Sequence, residues 1–285
     1  MIGIITPLIL TYNEAPNIGR TLERVRWADD VVIVDSFSGD ETLEIASGFP
    51  NVRMFQRRFD SHEKQWNFGL LETGISSEWV LALDADYILT WEAVEELKSL
   101  KPGADVAGFS ASFVYCVNGR RLRGSAYPPV TVLYRRAKAQ YCQDGHTQRV
   151  IVDGRIEPLR APIMHDDRKP LSHWLQSQAR YMRIEARKLV ESDFAGLGWA
   201  DRLRKMRCVA PFVMLFYCLI VKRAVLDGRA GLFYAFQRIV AELILSLYLV
   251  EDDLRWTLHR KNEEPTNSVS YPSAVVKSPV PNAED

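Results

Sequence analysis

Trp79-Val80-Leu81-Ala82-Leu83-Asp84-Ala85-Asp86 decides the fold. The apolar run is too short for a helix and suits a strand covered on both faces. Two carboxylates spaced i, i+2 close it, where unpaired charge is costly. A divalent cation would remove that cost, because Mg2+ or Mn2+ takes oxygen ligands and bridges carboxylate to phosphate. A pair of helix-capping aspartates explains the same residues as well, so the pattern needs support from the rest of the chain.

That support lies upstream. Leu8–Thr11 is strand-like and leads into Tyr12-Asn13-Glu14, after which Ala15–Trp27 has helical spacing, with Pro16 near its start. Val31-Val32-Ile33-Val34 is a second short apolar run, closed by Asp35. Ser38 and Glu41 fit a capping box that opens a helix over Glu41–Ser47. Val52–Phe55 predicts a third strand, His62–Glu72 a helix, and Trp91–Leu100 a helix capped by Thr90. Repeated βαβ units of this length predict a doubly wound, mostly parallel α/β sheet, whose ligands sit at the carboxyl ends of the strands. A carboxylate at Asp35 can read a base or ribose hydroxyl there, although a turn-forming aspartate beside Ser36 is the plainer reading of it alone. Tyr12 could stack on a base, or be a half-buried aromatic beside a helix-start Glu14.

Downstream the pattern changes. Asn118-Gly119 and Asp153-Gly154 are hairpin signals, so residues 106–163 are expected to add mixed or antiparallel strands to the same sheet. A long helix follows over about Ser172–Glu191, and 199–252 reads as helical and apolar. The expected division is a catalytic domain at 1–170 with halves at 1–100 and 101–170, a helical region at 171–255, and a disordered tail at 256–285, rich in proline.

Composition narrows the function classes. The 285 residues carry 36 Lys+Arg against 36 Asp+Glu, and this neutral balance argues against a generic nucleic-acid binder. Cys116, Cys142, Cys208 and Cys218 have neither CxxC spacing nor histidines at zinc-site distances, so they read as small buried residues of a reducing compartment. Met1–Leu10 lacks the basic start of a signal peptide and reads as the first buried strand. By contiguous apolar length no segment is expected to span a membrane.

Four pieces in order and spacing resemble the inverting family 2 glycosyltransferases of the GT-A fold: Thr11-Tyr12-Asn13-Glu14, Val34-Asp35 with Ser36–Thr42, Gln65 and Asn67 in Lys64-Gln65-Trp66-Asn67, and Asp84-Ala85-Asp86. Within that family the chain looks most like the lipopolysaccharide-core glucosyltransferase branch, which also carries a segment like Trp27–Asp30. The resemblance implies a GT-A doubly wound mixed sheet and a metal-dependent transfer of a hexose, with glucose expected, from a UDP-sugar. The acceptor would be a hydroxyl of a lipid-linked saccharide or lipopolysaccharide core, at the cytoplasmic face of the cell membrane. It implies that Thr11, Tyr12, Glu14 and Asp35 hold uracil and ribose, that Gln65 and Lys64 line the nucleotide pocket, that Asp84 touches ribose or metal, and that Asp86 ligates Mg2+ or Mn2+.

The attacking hydroxyl needs a base. Members of the branch carry a Val-His-Glu-like motif where this chain reads Asp144-Gly145-His146-Thr147-Gln148, with Thr147 at the glutamate position. Asp144 is the first candidate and His146 the second, with a plain hairpin turn as the bland reading of Asp144-Gly145. His165, in Ile163-Met164-His165-Asp166-Asp167-Arg168, matches a third metal ligand or pyrophosphate contact, with Arg168 and Lys169 adding positive charge. His62, His173 and His259 receive no role. Two competitors remain: a sugar-nucleotide pyrophosphorylase, disfavoured because Leu10–Ala15 contains no glycine for a phosphate loop, and a scaffold that keeps the fold without turnover.

Cys208–Val221 is apolar apart from Pro211, which is expected to disfavour an unbroken helix, and is too short to span. Seven basic residues against Asp201 and Asp227 across 201–229 hide a local excess of positive charge within the neutral whole. Apolar faces bordered by basic residues describe a helix lying in an anionic membrane surface; packing on the domain or on a sister chain is the alternative.

Overall fold

Alternation within each strand explains why helices cover both faces of the central sheet. In β1 (Ile5–Thr11), β2 (Val31–Asp35) and β4 (Trp79–Asp84), the residues Ile5, Ile9, Val31, Ile33, Leu81 and Leu83 enter one buried cluster. Their neighbours Leu8, Val32, Val34, Val80 and Ala82 enter the other. The first cluster is closed by α1 (Ile18–Arg24), α2 (Thr42–Ser47) and α4 (Trp91–Ser99), and the second by Trp66 and Leu70 of α3 (His62–Glu72). Side chains of a strand point alternately up and down, so an unbroken apolar run feeds two cores at once.

The computed structural model describes residues 2–144 and 147–263. Its seven-stranded sheet has the order β12-β6-β9-β4-β1-β2-β3, where β3 is Val52–Gln56, β6 Val106–Ala111, β9 Val130–Arg135 and β12 Arg155–Pro158. β3, β2, β1 and β4 run parallel, β9 is antiparallel to both β4 and β6, and β12 pairs parallel with β6. This is a mixed α/β sheet of the expected GT-A kind. A second sheet has the order β5-β13-β7-β8, from Tyr87–Leu89, Ile163–His165, Phe113–Val117 and Arg120–Arg121. β10 (Ala139–Asp144) and β11 (Thr147–Val152) form a separate antiparallel ribbon. So 106–163 does not simply extend one sheet.

Two local expectations need correction. Asn118-Gly119 does join β7 to antiparallel β8, both residues with positive φ (48° and 78°). Asp153-Gly154 instead carries the chain from the ribbon to the sheet edge, since β11 and β12 do not pair. Gly154 has φ 137°, and a Cβ there would lie 2.6 Å from the Ala107 Cβ, so close backbone approach selects the glycine rather than a tight turn. The capping box is not formed either. Ser38 is taken up by Asp35 and Asn13, while Asp40 accepts from the Thr42 N–H at 3.1 Å. Thr90 does cap α4, accepting from Ala93 N at 3.1 Å.

The helices that follow are α5 (Leu171–Glu191), α6 (Trp199–Lys205), α7 (Val209–Phe216), continued by a π-helical turn at Tyr217–Val221, and α8 (Gly228–Glu263). Pro211 falls in the first turn of α7, where its missing N–H is harmless, so the helix is not broken there. Met1–Leu249 form one compact unit and the described residues from Val250 belong to a second. α8 runs past residue 255 to Glu263, and the rest of the expected tail lies outside the described residues. Ala224–Arg255 is, by length and composition, long and apolar enough to cross a membrane, contrary to the sequence expectation. Counting unbroken apolar residues stopped at Arg238 and Glu242, whereas a window average tolerates both.

Replacing Gly154 by alanine is expected to lower stability by about 1–3 kcal/mol, from backbone strain and overpacking against Ala107. A lowered urea midpoint with an unchanged slope would register it.

Candidate active site

Four strand ends and one returning segment build the site. β4 delivers Asp84, and the following Ala85-Asp86 is held from two sides: Thr21 Oγ1 of α1 donates to the Ala85 carbonyl at 2.6 Å, and Asp166 N donates to the Asp86 carbonyl at 3.1 Å. β13 pairs antiparallel with β5 in the register His165↔Tyr87. That register brings His165 beside Asp86, Nε2 to Oδ2 at 3.1 Å. Tyr87, Tyr115 and Tyr127 pack their rings around the imidazole, with centroids 4.8–5.2 Å away.

The segment after β13 also supplies the cations. Lys169 Nζ donates to Glu14, which also accepts from Asn17 Nδ2 at 2.8 Å. The fully buried Asn17 donates further to Asp167 Oδ1 at 2.9 Å and accepts from Arg20 Nη2 at 2.7 Å and Arg168 N at 2.9 Å. Asp166, also buried, takes Arg20 Nη1 at 2.7 Å, Arg168 Nε at 2.9 Å and Gly119 N at 2.9 Å. One polar knot therefore ties the start of α1, the β7–β8 turn and the β13–α5 loop together.

Electrostatics follow from this burial. Desolvation pushes the Glu14 carboxyl up to about 7, opposed by Lys169 and reinforced by Asp86. Desolvation, then the neighbouring Asp86 charge, raises Asp84 to about 6. Burial also disfavours charge on Asp86 and His165, but their mutual attraction prevails: the carboxyl lies below its usual value and the imidazole above. For Asp166 burial is likewise outweighed, by Arg168, Gly119 N–H and Arg20, and its carboxyl is lowered.

Glu14, Asp84, Asp86, Asp167 and Lys169 open onto a cavity of about 980 Å³. Ligand pockets span roughly 300–1,000 Å³, so this one lies at the roomy end. Thr11, Tyr12, Glu14, Gln65, Asp84 and Asp86 line it together, although they come from separate strand ends and α3. Tyr12 (49% exposed) and Phe37 (51% exposed) add aromatic surface to its wall. Phe37 and Asn13 adopt left-handed backbone (φ 61° and 53°), held by Asn13 Oδ1 accepting from Gly39 N at 2.8 Å and Asn13 N donating to Ser38 Oγ at 2.8 Å. Strain of this kind persists only where surrounding bonds fix it, and it clusters at ligand sites.

Other sequence candidates land elsewhere. Asp35 is fully buried behind the wall, where its carboxylate accepts from Thr11 Oγ1 (2.8 Å), Ser38 N (2.8 Å) and Ser38 Oγ (2.5 Å). It shapes the turn that carries Phe37 and does not itself line the cavity. Lys64 points outward to Asp60 at 3.4 Å and is absent from the wall. Gln65 is held by Arg57 and Ser36, and Asn67 clamps the Tyr141 backbone with two 3.0 Å bonds, anchoring the ribbon whose last pair is Asp144↔Thr147. The side chain of Asp144 and all of His146 lie outside the described residues. The sequence reading missed Phe37, Phe59 and the α5 wall of His173, Trp174, Ser177 and Arg180. The i, i+4 spacing of His173 and Ser177 was a weak signal for that wall; nothing flagged the phenylalanines.

Asp86 supplies an oxygen donor of the kind Mg2+ or Mn2+ takes, and His165 Nε2, hydrogen-bonded to it at 3.1 Å, would add a nitrogen donor. Among the described residues no three His, Cys, Asp or Glu gather as a complete metal cage. A two-donor set is sufficient where phosphate oxygens and water complete the shell.

A mixed α/β sheet with an acidic, open-sided cavity at its strand ends defines a ligand-binding α/β protein. The profile described as "Glycosyl transferase family 2" matches residues 7–154, just over half of the 285, and the chain belongs to that family. An uncharacterized glycosyltransferase of Rickettsia bellii (strain RML369-C) is 34% identical over 95 residues, 33% of this chain and 31% of that protein. The chain thus spans about a third of the length of the curated relatives it matches. Among solved structures, S. aureus TarS 1–349 in complex with UDP-GlcNAc is similar with TM-score 0.44 and 16% identity, over 89% of this chain and 92% of that one. Glucosyl-3-phosphoglycerate synthase from Mycobacterium tuberculosis, in complex with Mn2+, UDP and phosphoglyceric acid, gives 0.45 and 15%, over 65% and 77%.

Asp166→Ala is expected to cost about 1–3 kcal/mol at pH 7, because it removes the buried acceptor shared by half-buried Arg20, Arg168 and the Gly119 N–H. With a folded pKa below the unfolded one, the wild-type contribution is complete above about pH 4 and fades as pH falls through the folded value. Urea unfolding of both proteins from pH 7 to pH 3 should show the gap narrowing.

Proposed function

We propose that the protein is a metal-dependent inverting glycosyltransferase that moves a hexose, glucose as first choice, from UDP to an acceptor hydroxyl. The acceptor is a lipid-linked saccharide or lipopolysaccharide core at the inner face of the cell membrane, as in the branch that the sequence resembles. One observation supports this best: motifs from β1, α3 and β4 and the β13–α5 loop converge on one cavity, with Glu14 against Lys169 at its wall and Asp86, also on the wall, bonded to His165.

In this reading Tyr12 and Phe37 stack on the uracil, Gln65 and Thr11 border it, and Glu14 and Asp84 meet the ribose. Asp35 acts through the turn that it anchors, and Lys64 has no contact role. Asp86 and His165 would hold Mg2+ or Mn2+, which supplies positive charge to the departing diphosphate. Lys169 adds a fixed cation on the same side, restrained by Glu14 so that it needs no reorganisation. Deprotonation of the acceptor is assigned to Asp144, with His146 as alternate.

A thermal-shift panel of nucleotide sugars with and without Mn2+ tests donor and metal together. UDP-glucose is expected to stabilise the wild type only when Mn2+ is present. Asp86→Ala should abolish that shift and lower UDP release by about 10²–10³-fold. Asp144→Asn should keep the shift and lose transfer; wild-type turnover in that variant rejects Asp144 as base. A shift without turnover under any acceptor supports the scaffold reading, which the Thr147 departure favours.

A further inference from the structure

The helices after residue 198 leave an apolar surface that the cavity does not use. On α7 and the π-helical turn, Phe212 (72% exposed), Phe216 (61%) and Ile220 (56%) recur every fourth residue, with Val213 and Val221 beside them. On α8, Leu232 and Phe236 form a second exposed stripe. The opposite faces are buried: Cys218, Ala230, Tyr234 and Ala235 pack together with Leu122. Exposed apolar side chains grouped along a helix face in this way mark an interaction surface.

Charge selects the partner. Arg202, Lys222, Arg223 and Arg229 flank these stripes along the chain with no carboxylate partner among the described residues, whereas Arg204 is neutralised by Glu242 at 2.7 Å and Asp201 at 3.1 Å. Left-handed residues at Arg207 (φ 61°) and Arg223 (φ 57°) bracket Val209–Val221 as a separate piece. At 1.5 Å per residue that piece is about 20 Å long, too short for a hydrocarbon core of about 30 Å. α8 is long enough, but its buried face carries Glu242 against Arg204 together with Tyr234, Leu245 and Leu249 packed on the protein. A helix so engaged along one side does not offer lipid an apolar surface all round.

We infer that this face docks in the plane of an anionic lipid bilayer, Phe212, Phe216, Ile220 and Phe236 entering the acyl boundary while Arg202, Lys222, Arg223 and Arg229 meet headgroups. The inference deepens the membrane part of the proposed function and rests on it, but it is independent of catalysis. The face is also coupled to the site. Tyr234 Oη accepts from Ala126 N at 2.7 Å, Asp227 accepts from Arg123 N at 3.0 Å, and the Lys222 carbonyl fills the space a Cβ on Gly124 would need. The next residue, Tyr127, packs on His165. A docked bilayer is therefore one loop away from the Asp86–His165 pair, where a lipid-anchored acceptor has to arrive.

The full chain would be floated with vesicles of phosphatidylcholine, alone or with phosphatidylglycerol, alongside Phe212→Ser/Phe216→Ser, Arg223→Glu/Arg229→Glu and, as control, Leu71→Ser on α3, where Leu71 is 72% exposed. Wild type and Leu71→Ser are expected to float with the anionic vesicles, and both double variants to partition at least about tenfold less. Equal flotation of all four proteins overturns the inference. So does absence of vesicle binding, or a dimer by light scattering that the phenylalanine variant converts to monomer, which assigns the face to a second copy. Circular dichroism and the UDP-glucose/Mn2+ thermal shift, run without vesicles, separate misfolding and failure of the donor reading from failure of docking.

Discussion

Negative charge gathered at the rim of a parallel sheet is the constraint on which the site depends. Glu14, Asp84, Asp86 and Asp167 all face one cavity, and burial drives Glu14 and Asp84 toward the neutral form. What holds the cluster together is a single segment from far along the chain, His165 to Lys169, which returns with an imidazole, a guanidinium and an ammonium. Asn17 fixes that segment with all of its amide capacity, donating twice and accepting twice. Buried polar networks are favourable when their members are satisfied; the Asn17 and Asp166 contacts meet that condition, whereas the buried Nδ1 of His165 has no hydrogen-bond partner.

Neither acid nor base alone would serve the chemistry proposed. Unpaired carboxylates in a half-closed cavity would repel a diphosphate, whereas a purely basic wall would hold the product as firmly as the donor. A mixed wall, with Lys169 tethered by Glu14 and Asp86 beside it, directs positive charge to one point. The left-handed Asn13 and Phe37 belong to the same arrangement: cross-loop bonds keep two strained residues where aromatic surface meets the cavity.

Much of the first half was legible in the sequence because strand burial there is two-sided and the motifs sit directly at strand ends. Thr11, Tyr12, Glu14, Asp84 and Asp86 needed only the strand ends to be placed correctly. Asp35 and Lys64 were harder, since which atoms a carboxylate or ammonium faces is set by loop neighbours such as Ser38 and Asp60. The split of 106–163 into a second sheet and a ribbon escaped for a related reason: an Asp-Gly pair signals positive φ, but not whether the strands on either side of it pair. The α5 wall escaped because a polar helix face reads as solvated until the opposing cavity is known. Averaged hydropathy and contiguous length gave different answers for α8, and the buried Arg204–Glu242 contact explains how charge is tolerated within so apolar a helix.

The closeness of Asp86 to His165 has one more consequence. Carboxylate and imidazole bond each other directly, and β5–β13 pairing sets their positions through the backbone. Their separation is therefore fixed by the strand ladder rather than by the side chains themselves, so that replacing one of the two leaves the other standing where it was.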